Sequence, residues 1–311
     1  MTAPIQPHIR PPRVSPLAAF LEGWRRVWQA PAVLVGTWLA WWLSWTLVQV
    51  ALSMPAALAP AWVPSFQNHW VRLLYAQLEQ LSYALAPELS PFFFPGGLTA
   101  PFVAALAIQA ALWLFLSGGI LDRYARGRPV RTAAFFSACG VCFFRFLRLA
   151  AIVGSAGSML WGVQRVFSTS LPVRLAVLVL IAILGLIVDF AKVRAVVEDR
   201  HSMIGALAAS VRFIRRRLWR VAGLALLNGL AILAVVRIQF QIVSTQGPGW
   251  LEPIMFTALL LLGIAVRLAF MGSEVVFFQG ELAHAGYTAA PIPEWPDSPA
   301  VEAMDNLVKR R

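Results

Sequence analysis

The chain has 311 residues, 59% of them hydrophobic and only 13% charged, with a formal net charge of +12. Soluble domains carry about 25% charged residues, so there is too little polar surface here to cover a water-soluble fold. A basic excess points to nucleic acid or to an anionic membrane surface; the arginines flank apolar runs, so membrane lipid is the expected partner and nucleic acid is not.

Residues 15–30 begin with Ser15 at an N-cap position and Pro16 at the first helical position, where its missing N–H costs nothing. Leu17, Phe20, Leu21, Trp24, Val27 and Trp28 recur at helical spacing, with Glu22, Arg25, Arg26 and Gln29 opposite. That pattern predicts an amphipathic helix lying in the membrane interface. The apolar run 32–54 exceeds the roughly 20 residues a span needs and is too long for the apolar core of a cleaved signal peptide. An outer loop, 59–97, follows; Val71, Leu74, Leu78, Leu81 and Leu85 form a stripe that predicts a helix on the outer face.

After a second span at 98–121, residues 132–148 repeat the amphipathic pattern through Phe135, Phe136, Cys139, Cys142, Phe143, Phe146 and Leu147. Cys139 and Cys142 form a CxxC, but no second Cys pair or His cluster completes a zinc site, so packing is the expected role. In the third span, 149–165, Ala150, Gly154, Ser158 and Gly162 fall every fourth residue. Such a ridge lets another backbone approach, in this chain, in a membrane-protein partner or in a second protomer of a homo-oligomer.

The fourth span, 172–193, turns charged at Asp189, Lys192, Arg194, Glu198, Asp199 and Arg200. These residues read as a solvated extension of the helix, with Arg194 and Glu198 as an i,i+4 pair. A third amphipathic segment, 202–217, places Met203, Ile204, Leu207, Val211 and Ile214 on one side. The cluster of Arg212, Arg215, Arg216, Arg217 and Arg220, with Trp219 beside it, predicts contact with anionic head groups, at about 1 kcal/mol per basic residue. Spans at 219–243 and 254–278 complete the set. The tail 286–311, with Pro291, Pro293, Pro296 and Pro299, has a composition that cannot bury a core.

The expected fold is therefore all-α: a polytopic bundle of six spans, with three cytoplasmic-side interfacial helices preceding three helical hairpins. One membrane-embedded domain covers 1–285, followed by a cytoplasmic tail. Placing the N-terminus inside gathers most of the 26 basic residues on one side. The expected location is a bacterial inner membrane with both termini cytoplasmic.

Arg267 lies mid-span, where insertion scales charge about 2.5–3.5 kcal/mol for Arg, so it should face the bundle interior or a wet cavity. Glu274 is seven residues on, about 10 Å along the axis at 1.5 Å per residue, which makes a direct bond a stretch; Asp189 is the alternative partner. Gln109 and Asn228 are mid-span amides expected to hydrogen-bond between helices. Arg267, Glu274 and Asp189 read either as a structural pair or as a substrate or ion path. HExxH, GxSxG and Walker-type signatures are absent, and His8, His69, His201 and His284 are scattered. No catalytic residue, metal or cofactor is expected.

At FLEGWRRVWQAPAVLVGTW, FLSGGILDRYARGRPVRTAAFFSACGVCFFRFLRL and VDFAKVRAVVEDRHSMIGALAASVRF, the chain resembles a broad group of bacterial six-span membrane proteins of uncharacterised activity. It is also distantly similar to the membrane domain attached to some glycerophosphoryl diester phosphodiesterases. The resemblance covers most of the spans but neither the outer loop nor the tail, brings no phosphodiesterase domain, and implies no activity. The function expected is that of a non-catalytic membrane protein organising lipids or partner proteins; the alternative is a transporter or permease for a small solute.

Overall fold

The computed structural model describes residues 14–53, 100–127, 129, 131–166, 171–244 and 251–281. The outer loop with its leucine stripe and the tail lie outside these residues. Among the described residues the chain forms eight α-helices and no strand: α1 (Pro16–Trp28), α2 (Pro31–Ser53), α3 (Ala100–Arg126), α4 (Thr132–Val166), α5 (Leu171–Val197), α6 (Met203–Arg216), α7 (Leu218–Ser244) and α8 (Leu251–Glu281). Four stretches are long and apolar enough to cross a membrane: Thr132–Gly157, Leu175–Val197, Leu218–Ile238 and Thr257–Glu281. A shorter apolar stretch, Pro31–Ser44, lies in α2. Leu39, Leu43, Val179, Ile183, Leu226 and Leu230 stay exposed on the outside. Monomeric water-soluble proteins rarely leave so much apolar surface uncovered, and such a surface suits a bilayer.

Local chemistry sets the helix ends. Ser15 Oγ accepts from the Ala18 N–H at 3.2 Å, and Ser202 Oγ accepts from the Gly205 N–H at 3.2 Å, each satisfying one orphan donor of a first turn. At the end of α5, Asp199 adopts a left-handed φ of 47° and the Arg200 N–H reaches back to the Ala195 carbonyl at 3.1 Å, the six-to-one closure of a Schellman cap. Arg217 breaks the helical conformation for one residue (φ −132°), and α7 starts at once, so α6 and α7 form an elbow.

The amphipathic pattern predicts a surface helix at 132–148 and a separate span after it. Instead α4 runs unbroken for 35 residues. No proline lies between Thr132 and Val166, and Arg145 and Arg148 are good helix formers, so nothing ends the helix at that point.

The core gathers around α8. Every residue from 264 to 278 is buried, and α1, α2, α3, α5 and α7 all pack on this helix. Against α1 the approach is close: a Cβ on Gly23 would lie 2.5 Å from the Ala269 carbonyl oxygen and 2.7 Å from the Ser273 nitrogen. Only glycine fits there. Val14 meets Gly280 while Gly23 meets Gly272, so α1 runs antiparallel along the last turns of α8. It presents Ala19, Gly23 and Val27 to the protein and leaves Leu17, Leu21 and Trp28 exposed. On α3, Gly118 and Gly119 seat Cys142 and Cys139 of α4. Both thiols are free and buried, filling a helix crossing.

Candidate functional site

The chemistry of the interior is concentrated where α5 meets α8. Arg267 Nη2 donates to both carboxylate oxygens of Asp189, at 3.1 and 3.0 Å, across 78 residues of sequence. Lys192, one turn further along α5, brings its Nζ to 3.6 Å from Asp189 Oδ1. Asp189, Lys192, Arg267 and Glu274 are 4%, 2%, 7% and 1% exposed. The contacts advance together, from Asp189 with Arg267 to Arg194 over the Phe278 ring, so the two helices run in the same sense. The Arg267 guanidinium lies 5.0 Å from the Phe270 ring centroid, which gives its planar face an aromatic neighbour.

Of the two partners weighed for Arg267, the structure supplies Asp189. Glu274 sits seven residues on along α8, equally buried. Together the four residues put two cations and two carboxylates into an apolar interior, where a lone charge would be very costly and charge-assisted bonds are strong. The expectation that Asp189 and Lys192 belong to a solvated extension is corrected: α3, α6 and α8 all pack on α5 and exclude solvent from both. The Arg194–Glu198 pair does form, at 2.7 Å. Asp199 is exposed and accepts from Arg145 Nη1 at 2.6 Å, tying the end of α5 to α4.

The two amides differ. Asn228 Nδ2 donates to Ser273 Oγ at 3.0 Å, and Ser273 Oγ donates to the Phe270 carbonyl at 2.8 Å, which links α7 to α8. Gln109 is buried in α3, and among the described residues its Nε2 has no hydrogen-bond partner. Ala150 and Gly154 of the small-residue ridge are buried; the surroundings of Ser158 and Gly162 lie outside what is described.

A second charged station closes the arginine-rich end. Glu281, the last residue of α8, accepts from Arg217 Nε at 2.7 Å through Oε2, pairs with Arg220 through Oε1, and takes Arg217 Nη2 on its carbonyl at 3.3 Å. Arg220 Nη2 also donates to the Val14 carbonyl at 2.6 Å. The two guanidiniums lie 4.8 Å from the Phe213 ring centroid and 5.7 Å from that of Phe277. Two of the five arginines expected at head groups are thus engaged with protein, while Arg212, Arg215 and Arg216 are exposed. Glu281 escapes a reading of the sequence alone, being an acid just past the last span with no Lys or Arg near it in the chain.

The same end holds two helix caps. Arg26 Nη1 donates to the Tyr124 carbonyl at 2.5 Å and Gln279 Nε2 to the Ala125 carbonyl at 2.9 Å, occupying carbonyls that the end of α3 leaves open. Burial lowers the Arg26 pKa, and Glu22 alongside opposes that shift. Among the described residues no three of His, Cys, Asp and Glu gather as metal ligands.

No protein-family model, curated protein or solved structure matches the chain.

Proposed function

We propose that this chain is a six-span protein of a bacterial inner membrane, with both termini cytoplasmic, that works without catalysis by organising lipids or partner proteins around a rigid bundle. The observation that carries the proposal is the matching of charge inside the bundle. Arg267 and Lys192 both reach Asp189, Glu274 is the second carboxylate buried in this interior, and α8, which holds Arg267, is the most enclosed of the described helices. Such a pair fixes how α5 and α8 meet. The uncovered apolar faces and exposed arginines of α1 and α6 lie at the other extreme, directed away from the core, where lipid or a partner helix would meet them. The test is reconstitution into liposomes under an ion gradient with a pH-reporting dye. Leakage equal to that of protein-free liposomes is expected, and protein-dependent flux would overturn the reading.

A transporter is the second reading, favoured by one observation: ionisable side chains buried in a span mark substrate or ion paths by default, and four of them gather here. It predicts flux in the same liposomes that Asp189→Asn abolishes.

A further inference from the structure

We infer that the α6–α7 elbow is a binding site for an anionic phospholipid head group, formed by Arg212, Arg215 and Arg216, and that Glu281 withholds Arg217 and Arg220 from it. The inference rests on the membrane placement proposed above and names the ligand of that surface.

At about 100° per residue, α6 has three sides. Met203, Ala206, Ser210 and Phe213 are buried against the protein. Ile204 is 70% exposed and Val211 37%, and beyond the elbow Leu218 and Trp219 are 52% and 86% exposed. Arg212, Arg215 and Arg216 take the remaining side and are exposed too. The order of sides recurs on α1, with Ala19, Gly23 and Val27 inward, Leu17, Leu21 and Trp28 outward and apolar, and Arg25 and Glu22 on the third side. Two helices, each leading into a longer apolar one, thus offer an apolar strip edged by charge.

What distinguishes α6 is the sign and surplus of that charge. Its sequence, MIGALAASVRFIRR, contains no acid. Among the described residues, the acids nearest to it are committed elsewhere: Glu198 to Arg194 and Arg200, Asp199 to Arg145, and Glu281 to Arg217 and Arg220. Three guanidiniums therefore present a positive surface that no carboxylate of the helix offsets. Guanidinium forks match phosphate oxygens in pairs. A free phosphate would satisfy them and leave Ile204, Val211 and Trp219 in water. A phospholipid satisfies both sides, with its phosphate on the arginines and its acyl chains along the apolar strip, and that complementarity selects the lipid.

Glu281 sets the size of the site. Its carboxylate takes one oxygen to each of Arg217 and Arg220, and the Val14 carbonyl holds Arg220 from behind. Lipid phosphate must compete with these partners for either arginine. The cluster of five in the sequence is thus divided into three outward and two held.

The test places purified protein in nanodiscs of phosphatidylcholine doped with phosphatidylglycerol, extracts it into neutral detergent and counts retained lipids by native mass spectrometry. The R212Q/R215Q/R216Q variant is expected to retain phosphatidylglycerol about a hundredfold more weakly, since each basic residue near a head group contributes roughly a fivefold gain, with phosphatidylcholine retention and melting temperature unchanged. E281Q is expected to raise phosphatidylglycerol retention severalfold. Wild-type retention in the triple variant overturns the site; unchanged retention in a folded E281Q overturns the withholding. If E281Q does not fold, R217Q/R220Q/E281Q decides: retention as in wild type supports the division, and a loss like that of the triple variant overturns it. A protein that conducted ions yet retained phosphatidylglycerol in this way would sink the organising role and leave this site standing.

Discussion

Asp189 and Glu281 are built alike and serve different ends. Each is a buried carboxylate between two cations. Asp189 is met by Arg267 from α8 and by Lys192 from its own helix, and all three side chains are under a tenth exposed. Glu281 is met by two arginines of the α6–α7 elbow whose side chains keep 24% and 31% of their exposure. Depth separates the two stations. Inside the bundle a cation that loses its carboxylate stays enclosed by protein, so breaking the pair is expected to be strongly destabilising. At the rim, where both arginines keep part of their exposure, water can replace the carboxylate, so the pairing is negotiable.

The variants that sharpen this contrast fall in a clear order. Asp189→Ala takes from Arg267 and Lys192 the carboxylate that both of them reach and should cost about 3–5 kcal/mol; the expected result is little folded monomer on size exclusion, and a wild-type melt would break the comparison. Gly23→Val forces side-chain atoms into the Ala269 and Ser273 backbone of α8, for about 1–3 kcal/mol of overpacking. A thermal melt in detergent checks it, and a neutral outcome would mean that α1 does not lie on α8. Glu281→Gln keeps the shape and removes one charge at the rim. Its arginines find water, so the loss should be ~1 kcal/mol, well below that at Asp189; equal losses would erase the distinction by depth. Asn228→Ala removes the α7–α8 bond, and membrane hydrogen bonds of this kind average about 0.6 kcal/mol. A larger shift of the melting curve would show that Asn228 and Ser273 do more than bridge two helices.

The sequence made legible whatever depends on neighbours along the chain. Ser15 and Ser202 were readable as caps because a cap bonds three residues ahead. The Arg194–Glu198 pair was readable from its i,i+4 spacing, and the apolar helices from their length and composition. Asp189 entered as one of two partners for Arg267; the choice between it and Glu274 required knowing how α5 and α8 face each other, which no local spacing encodes. The burial of Lys192 was invisible for the same reason, since a lysine following a run of apolar residues looks solvated until α3, α6 and α8 are seen to cover it. The break expected inside α4 came from its amphipathic pattern, yet only a cap or a helix breaker would have supplied a physical stop. On α1 the stripe of large apolar residues is divided: Leu17, Leu21 and Trp28 stay uncovered, while Phe20, Trp24 and Val27 pack beside small Ala19 and Gly23. Glu281 was missed because both of its arginines arrive from more than 60 residues away.

The most direct test of the account is a double-mutant cycle on the central pair, with melting in detergent recorded for Asp189→Asn, Arg267→Gln and the two combined. If Asp189 neutralises Arg267 inside the bundle, the combined variant will be more stable than Asp189→Asn alone, because the stranded guanidinium is gone, and the two losses will fall well short of adding. Losses that simply add would contradict the pairing on which the organisation around α8 depends.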